Sequence, residues 1–227
     1  MQNQQFADSA PLRETMVERQ IRTFDVTDLG VQARMREVPR EIFVDSAFAS
    51  LAYSDARLTL AGKEPREMTA PLILARLLRE AHLRESDRVL VVGGATGYAA
   101  ALAAGLAALV VSLDDDDSLA ARAKTNFATL GLANVKSLAG PLAEGAPRDA
   151  PFNTIIVDGV SQGEFGPLFN QLTEGGKLIA IVSDKPGAQV GKATAYQIAE
   201  GKVSPRPLFD ASAGALTAFA RPAEFVF

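Results

Sequence analysis

Three short runs, RVLVV at 88–92, LVVSL at 109–113 and TIIVD at 154–158, are almost continuously apolar and rich in β-branched residues. A strand with one wet face alternates apolar and polar residues, whereas a strand without alternation is covered on both sides. The segments between these runs carry helical spacing instead. In order they read as a helix PLILARLLREAHL opened by Pro71, RVLVV, a helix from Tyr98 to about Leu106, LVVSL and a helix from Ser118 to Leu130. VKSL, TIIVDG, a helix around Phe165 to Leu172 and GGKLIAIVS follow. Strands alternating with helices predict an α/β fold with a doubly wound, mostly parallel sheet.

The ends of the chain read differently. From Leu12 to Val38 the apolar residues Met16, Ile21, Leu29, Val31 and Met35 fall at helical spacing, broken near TFDVTD, where Thr27 or Asp28 is placed to cap a second helix. N-terminal helices are therefore expected. Residues 43–70 show little periodicity and surround the charged GKEPRE segment, which predicts a long irregular excursion suited to a lid over substrate. The tail offers ATAYQIAEGKV and ALTAFARPAEFVF as two strands separated by a turn-rich piece, an antiparallel C-terminal edge. Phe209, Phe219, Phe225 and Phe227 are expected to dock on their own domain. One domain then covers 1–227, with an N-terminal helical and irregular extension over 12–70 and an α/β core over 71–227.

Composition removes several kinds of chemistry. Lys and Arg number 23 against 27 Asp and Glu, and a net charge of −4 gives no reason to expect nucleic acid as a partner. The chain has no cysteine, which excludes disulfides, thiolate metal sites and a cysteine nucleophile and fits a cytoplasmic setting. The lone His82 has no second imidazole to share a metal with, and it reads as a helix C-terminal residue. AAALAAGLAALVVSL is too short and too alanine-rich to span a membrane, and MQNQQFADSAPLRETMVERQ lacks the basic start and apolar stretch of a secretory signal.

The stretch VLVVGGATGY at 89–98 carries the chemistry. A buried strand, a glycine turn and a helix start make an anion or nucleotide site, because the helix offers unpaired amides and the glycines let a ligand approach the backbone. Against G-x-G-x-x-G, Gly93 fits, but Ala95 and Tyr98 stand at the second and third glycines, which argues against NAD or FAD. A closer template keeps Gly93 and Gly97 with Ala95 between them. Asp114 follows LVVSL, where a carboxylate can take both hydroxyls of a ribose. The alternative for Asp114 to Asp117 is a solvated helix N-terminus.

MVERQI, VPREIFV at 38–44, AYSD at 52–55, TAP at 69–71, RVLVVGGATGY, VVSLD, LGLANV, GAPRDAPFNTIIVDG and QLTEGGKLIAIV occur in that order. From about Met16 to Val182 the chain resembles the protein-L-isoaspartate O-methyltransferases. The resemblance implies a methyltransferase-type fold and S-adenosylmethionine as cofactor. It also implies methyl transfer to the isoaspartyl carboxyl of a damaged protein or peptide. It assigns Gly93 and Gly97 to the cofactor turn and Asp114 to the ribose, and it places Thr69 at the family's active-site serine, where its hydroxyl would orient the acceptor. Thr69 could equally cap the helix at Pro71, and Asp55 could shape the cleft or cap a turn.

Four positions depart from the family pattern. Val91 replaces an acid two residues before the first glycine, Ala95 a glycine, Pro141 the aspartate of a GDG segment, and Asn153 the aspartate of APFD. A lost buried acceptor costs about 1 to 3 kcal/mol. Pro141 brings neither a carboxylate nor an amide. Ala95 is strained if its φ must be positive. Together these predict weakened S-adenosylmethionine binding. They leave open a non-catalytic scaffold that binds an unknown protein partner, and a domain for another adenosine-type ligand. Asp115 or Asp158, if directed into the crevice, would rebuild it.

Overall fold

The computed structural model describes residues 9–64 and 66–219. Helix α1 (Ala10–Met16) runs on through a π turn, Val17–Ile21, and a 3-10 turn, Arg22–Phe24, before α2 (Leu29–Glu37). Asp28, not Thr27, caps α2, its carboxylate accepting the Val31 amide at 2.9 Å. The excursion over 43–70 is more ordered than its sequence suggests. It follows a 3-10 turn at Arg40–Phe43 and contains another at Ser46–Leu51 and a small antiparallel hairpin, β1 (Leu58–Leu60) and β2 (Arg66–Met68). Three-residue strands are too short to show a period, so this hairpin left no pattern to read.

Every strand expected in the core forms. After α3 (Pro71–Ala81) come β3 (Arg88–Val92), α4 (Tyr98–Ala104), β4 (Leu109–Asp114), α5 (Asp117–Thr129) and β5 (Val135–Ala139). Then follow β6 (Phe152–Ser161), the single-turn α6 (Gly166–Phe169) and β7 (Leu172–Val182). With β8 (Val190–Ala199) and β9 (Lys202–Ser212), the sheet has seven strands among the described residues, in the order β5-β4-β3-β6-β7-β8-β9, parallel through β7. Val89 and Val91 pack on the face that carries α3, and Leu90 and Val92 pack on the opposite face with Val111 and Ile155. That is why β3 shows no alternation: both faces are core, and each large aliphatic so buried contributes about 1.5 to 3 kcal/mol.

The antiparallel edge forms, but from different residues than expected. β8 (Val190–Ala199) and β9 (Lys202–Ser212) make a hairpin whose two turn residues, Glu200 and Gly201, both have positive φ (53° and 68°), as a two-residue hairpin turn requires. Thus KVSPRPLFDAS supplies the second strand of the hairpin; of ALTAFARPAEFVF, Thr217–Phe219 form a 3-10 turn and 220–227 lie outside the described residues. Pro205 and Pro207 disguised that strand, yet prolines are tolerated on an outer strand, and β9 is the outermost. Residues 213–219 turn back over the sheet and end in a 3-10 turn, Thr217–Phe219. Phe209 and Phe219 are buried as expected, whereas Phe225 and Phe227 lie outside the described residues. His82 ends α3 in the left-handed conformation.

Candidate active site

After β4 and β5 the chain crosses back to lay β6 on the other side of β3, so the strand order reverses between β3 and β6. In open α/β sheets that reversal opens a crevice outside the carboxyl ends of the strands, where ligands bind. Here β3 delivers the glycine turn, β4 delivers Asp114, and β6 delivers Asp158.

The turn needs its glycines for conformation and packing. Gly93 and Gly97 have φ of 75° and 97°, and a side chain on Gly97 would meet the Phe127 ring at 2.5 Å. Ala95 also has a positive φ, 48°, a conformation that costs a residue with a side chain about 1 to 2 kcal/mol. One bond that holds it there is visible: the Ala95 amide donates to Asp114 Oδ2 at 2.8 Å.

Asp114 is only 1% exposed. Its Oδ1 accepts the Asp116 amide at 3.0 Å and faces Arg66 Nη2 at 3.3 Å, while the same guanidinium bonds Asp115. Burial raises the Asp114 pKa, against the Arg66 charge and the two amides, which pull it down. The acidic run is therefore divided in function. Asp116 is the helix cap, accepting the Ser118 amide at 2.8 Å, and Asp114 is a buried acid rather than part of a solvated helix end. The Lys63 amide also bonds Asp116, which docks the β1–β2 hairpin on this turn.

Thr69 and Asp55 exchange the roles that the sequence left open. Ala70 stands at the N-cap of α3 with no side-chain bond, and Asp55 Oδ1 instead accepts the Leu72 amide at 3.1 Å. Thr69, 1% exposed, donates its hydroxyl to Asp158 Oδ1 at 2.6 Å. The fully buried Arg40 holds Thr69 from behind, donating from Nη2 to the Thr69 carbonyl at 2.8 Å, with its guanidinium 4.7 Å from the centre of the Tyr98 ring. Burial pushes the Asp158 carboxyl up to about 6, more than the Thr69 hydroxyl and the Arg40 and Arg66 charges pull it down, and Asp114 adds to the rise.

A cavity of about 390 Å³ lies between the hairpin, the acidic turn and the C-terminal segment, lined by Lys63, Arg66, Asp115, Leu142 and Leu216 among others. Leu142 follows Pro141, which puts the GPL segment at the cavity wall. A smaller cavity of about 70 Å³, bordered by Val160, Gln162 and Lys185, lies on the other side of Ala215, Leu216 and Thr217. Those three residues line both cavities. They are pinned to β6: the Val160 amide donates to Gly214 O at 2.8 Å and the Leu216 amide to Val160 O at 2.7 Å. The Leu216 side chain covers both Gly93 and Gly159. Val91 does not face this space; it is fully buried in the core against α3. Asn153 accepts the Arg88 amide at 2.8 Å and ties the starts of β6 and β3 together.

Of the residues the sequence points to, Gly93 and Gly97 flank Ala95, which bonds Asp114, and Thr69 bonds Asp158, whose carbonyl lies beside Gly93; none of the four lines the cavity of about 390 Å³. Arg40, Arg66 and Leu216 went unnoticed, because their partners lie far along the chain. For Arg66 and Asp114 the separation is 48 residues.

A parallel sheet with a glycine turn at its point of reversal and an acid ending the next strand defines a protein of the methyltransferase-type α/β class. Residues 12–207 match the family described as protein-L-isoaspartate(D-aspartate) O-methyltransferase. The chain is 37% identical to the protein-L-isoaspartate O-methyltransferase of Methanoculleus marisnigri over 86% of its own length and 87% of the relative's. It is 36% identical to protein-L-isoaspartate O-methyltransferase 2 of Pelobacter propionicus over 75% of each chain. Among solved structures, a protein-L-isoaspartate O-methyltransferase superposes with a TM-score of 0.80 at 27% identity, covering 91% of this chain and 67% of the other. A Plasmodium falciparum candidate of the same kind, solved with S-adenosyl-L-homocysteine, shares the fold with a TM-score of 0.76 at 19% identity, over 90% and 97% of the two chains. The chain belongs to the protein-L-isoaspartate O-methyltransferase family.

Proposed function

We propose that this protein transfers the methyl group of S-adenosylmethionine to the free carboxyl of an isoaspartyl residue in a damaged protein or peptide. The observation that carries this reading is the meeting of the Gly93 turn and the Asp114 carboxylate with the Thr69–Asp158 pair at one crevice, beside a cavity of about 390 Å³. That volume is in the range of small-molecule sites.

The residues present suit the cofactor. Asp114 has spare acceptor capacity beyond two amides and one guanidinium, and it serves the ribose once Arg66 swings aside. Leu142 and Leu216 give the cavity apolar wall, and Gly93 and Gly97 shape the turn. S-adenosylmethionine supplies an activated methyl group. An acceptor carboxylate is already a nucleophile, so the protein's part is positioning and exclusion of water. Thr69, held at its carbonyl and at its hydroxyl, orients the acceptor.

The same reading takes residues 12–70 as an extension of one domain whose α/β core is 71–227, working in the cytoplasm. Among the described residues no helix is long and apolar enough to cross a membrane. A second reading, a scaffold that binds a protein partner, draws on Arg66 lying against Asp114 and on Leu216 over Gly93. Calorimetric titration with S-adenosylhomocysteine to millimolar concentration, followed by methylation of an isoaspartyl peptide, separates the two. Binding and methyl transfer are expected. No binding at millimolar ligand would reject the methyltransferase reading and favour the scaffold.

A further inference from the structure

On the methyl-transfer reading, the Thr69–Asp158 pair sets a carboxylate beside the Gly93 turn where the substrate is itself a carboxylate. Asp158 is a half-buried residue within β6, across the reversal point from Gly93, and its backbone oxygen is 3.4 Å from where a side chain on Gly93 would begin. While Asp158 is ionised, the single hydrogen of the Thr69 hydroxyl is spent on it, and Thr69 and Asp158 together offer an incoming acceptor only lone pairs. With a proton on Asp158, the carboxyl donates to Thr69 and the Thr69 hydrogen is released toward the crevice. The pair then offers one donor and no net charge.

We propose that Asp158, acting with Thr69, is a specificity-determining residue for the methyl acceptor: an anionic acceptor is admitted when Asp158 carries a proton and is repelled when it does not. This inference rests on the methyl-transfer reading of the crevice. The charged groups around Asp158 are Arg40 from the 3-10 turn after α2, Arg66 from β2 and Asp114 from β4. The two cations favour ionised Asp158 and Asp114 opposes it; burial prevails, so the carboxyl changes charge within the range in which the protein can be assayed. The isoaspartyl carboxyl, an α-carboxyl, stays anionic throughout that range. The methyl ester product is neutral, so ionised Asp158 does not hold it by charge or expel it.

The test uses the full chain and an acetylated isoaspartyl peptide with no other group titrating between pH 5 and 8.5. Methyl transfer and cofactor-free peptide binding are measured for the wild type, Asp158→Asn and Thr69→Val, with circular dichroism to verify folding. In the wild type, peptide affinity is expected to fall about tenfold per pH unit above the Asp158 pKa, as for a single linked proton. The change should appear in KM with kcat nearly constant. Asp158→Asn is expected to flatten the profile and bind at least tenfold tighter than wild type at pH 8. Thr69→Val retains the dependence and moves it to higher pH, because the ionised carboxyl loses its donor. An identical pH profile in the wild type and Asp158→Asn would overturn the inference and leave the methyltransferase intact. A fall in kcat at every pH in Asp158→Asn, with the profile unflattened, would make Asp158 merely structural. Neither binding nor methylation at any pH would overturn the function and the inference together.

Discussion

A buried acid, Asp114, and a half-buried one, Asp158, stand on either side of β3, and they are treated in opposite ways. Asp114 receives two backbone amides and a guanidinium, whereas the hydrogen bond identified for the Asp158 side chain is the Thr69 hydroxyl. Both are pushed upward by burial, but the donors gathered at Asp114 make it part of the framework. Asp158 is left with a charge that the surroundings barely support. The number of donors that the backbone delivers, not the identity of the side chain, separates a structural acid from a responsive one.

The strongest way to break this contrast is to remove Asp114. Asp114→Ala would strand the Ala95 and Asp116 amides and deprive Arg66 of one of its two carboxylates, at an expected cost of about 2 to 4 kcal/mol in urea unfolding. A loss below about 1 kcal/mol would mean that the amides find other partners and that Asp114 is not framework.

Asp158 should respond in the opposite direction. Unfolded, its carboxyl releases its proton near 3.8; folded, near 6. Between those values the native state holds the extra proton, so raising the pH through that window destabilises the fold, by about 2 to 3 kcal/mol. Asp158→Asn should remove this slope and be more stable than wild type at pH 7, by an amount that vanishes toward pH 4. Parallel stability curves for the two proteins would show that Asp158 is as well supported as Asp114.

The smallest effect lies in the turn that feeds Asp114. Ala95→Gly relieves a positive φ but raises the entropy of the unfolded chain, for an expected net gain of about 0.5 to 1 kcal/mol in thermal or urea unfolding. A destabilised variant would indicate that the methyl group of Ala95 makes packing contacts worth more than the backbone strain.

Much of the sheet was legible because burial on two faces leaves a plain trace: β3, β4 and β6 are the runs without alternation. β9 was misplaced because its prolines look like breaks until its edge position is known. α6 proved to be one turn, since Gly166 and Pro167 can start a helix but the chain enters β7 at Leu172. At the site, Gly93, Gly97 and Asp114 could be found from spacing along one β-α-β unit. The Thr69–Asp158 bond could not, because it joins residues 89 apart on elements that only the finished sheet brings together. No local pattern encodes it.

Ala215, Leu216 and Thr217 form a wall common to two cavities, and a shared wall is a thermodynamic coupling. Any ligand that displaces Leu216 from one side alters the room on the other, and the factor by which it changes its neighbour's affinity is returned in full when the neighbour arrives first. Two ligands held in the two cavities would therefore be cooperative, positively or negatively, without touching. The two backbone hydrogen bonds at Val160, rather than any residue of the glycine turn, would set the size of that cooperativity.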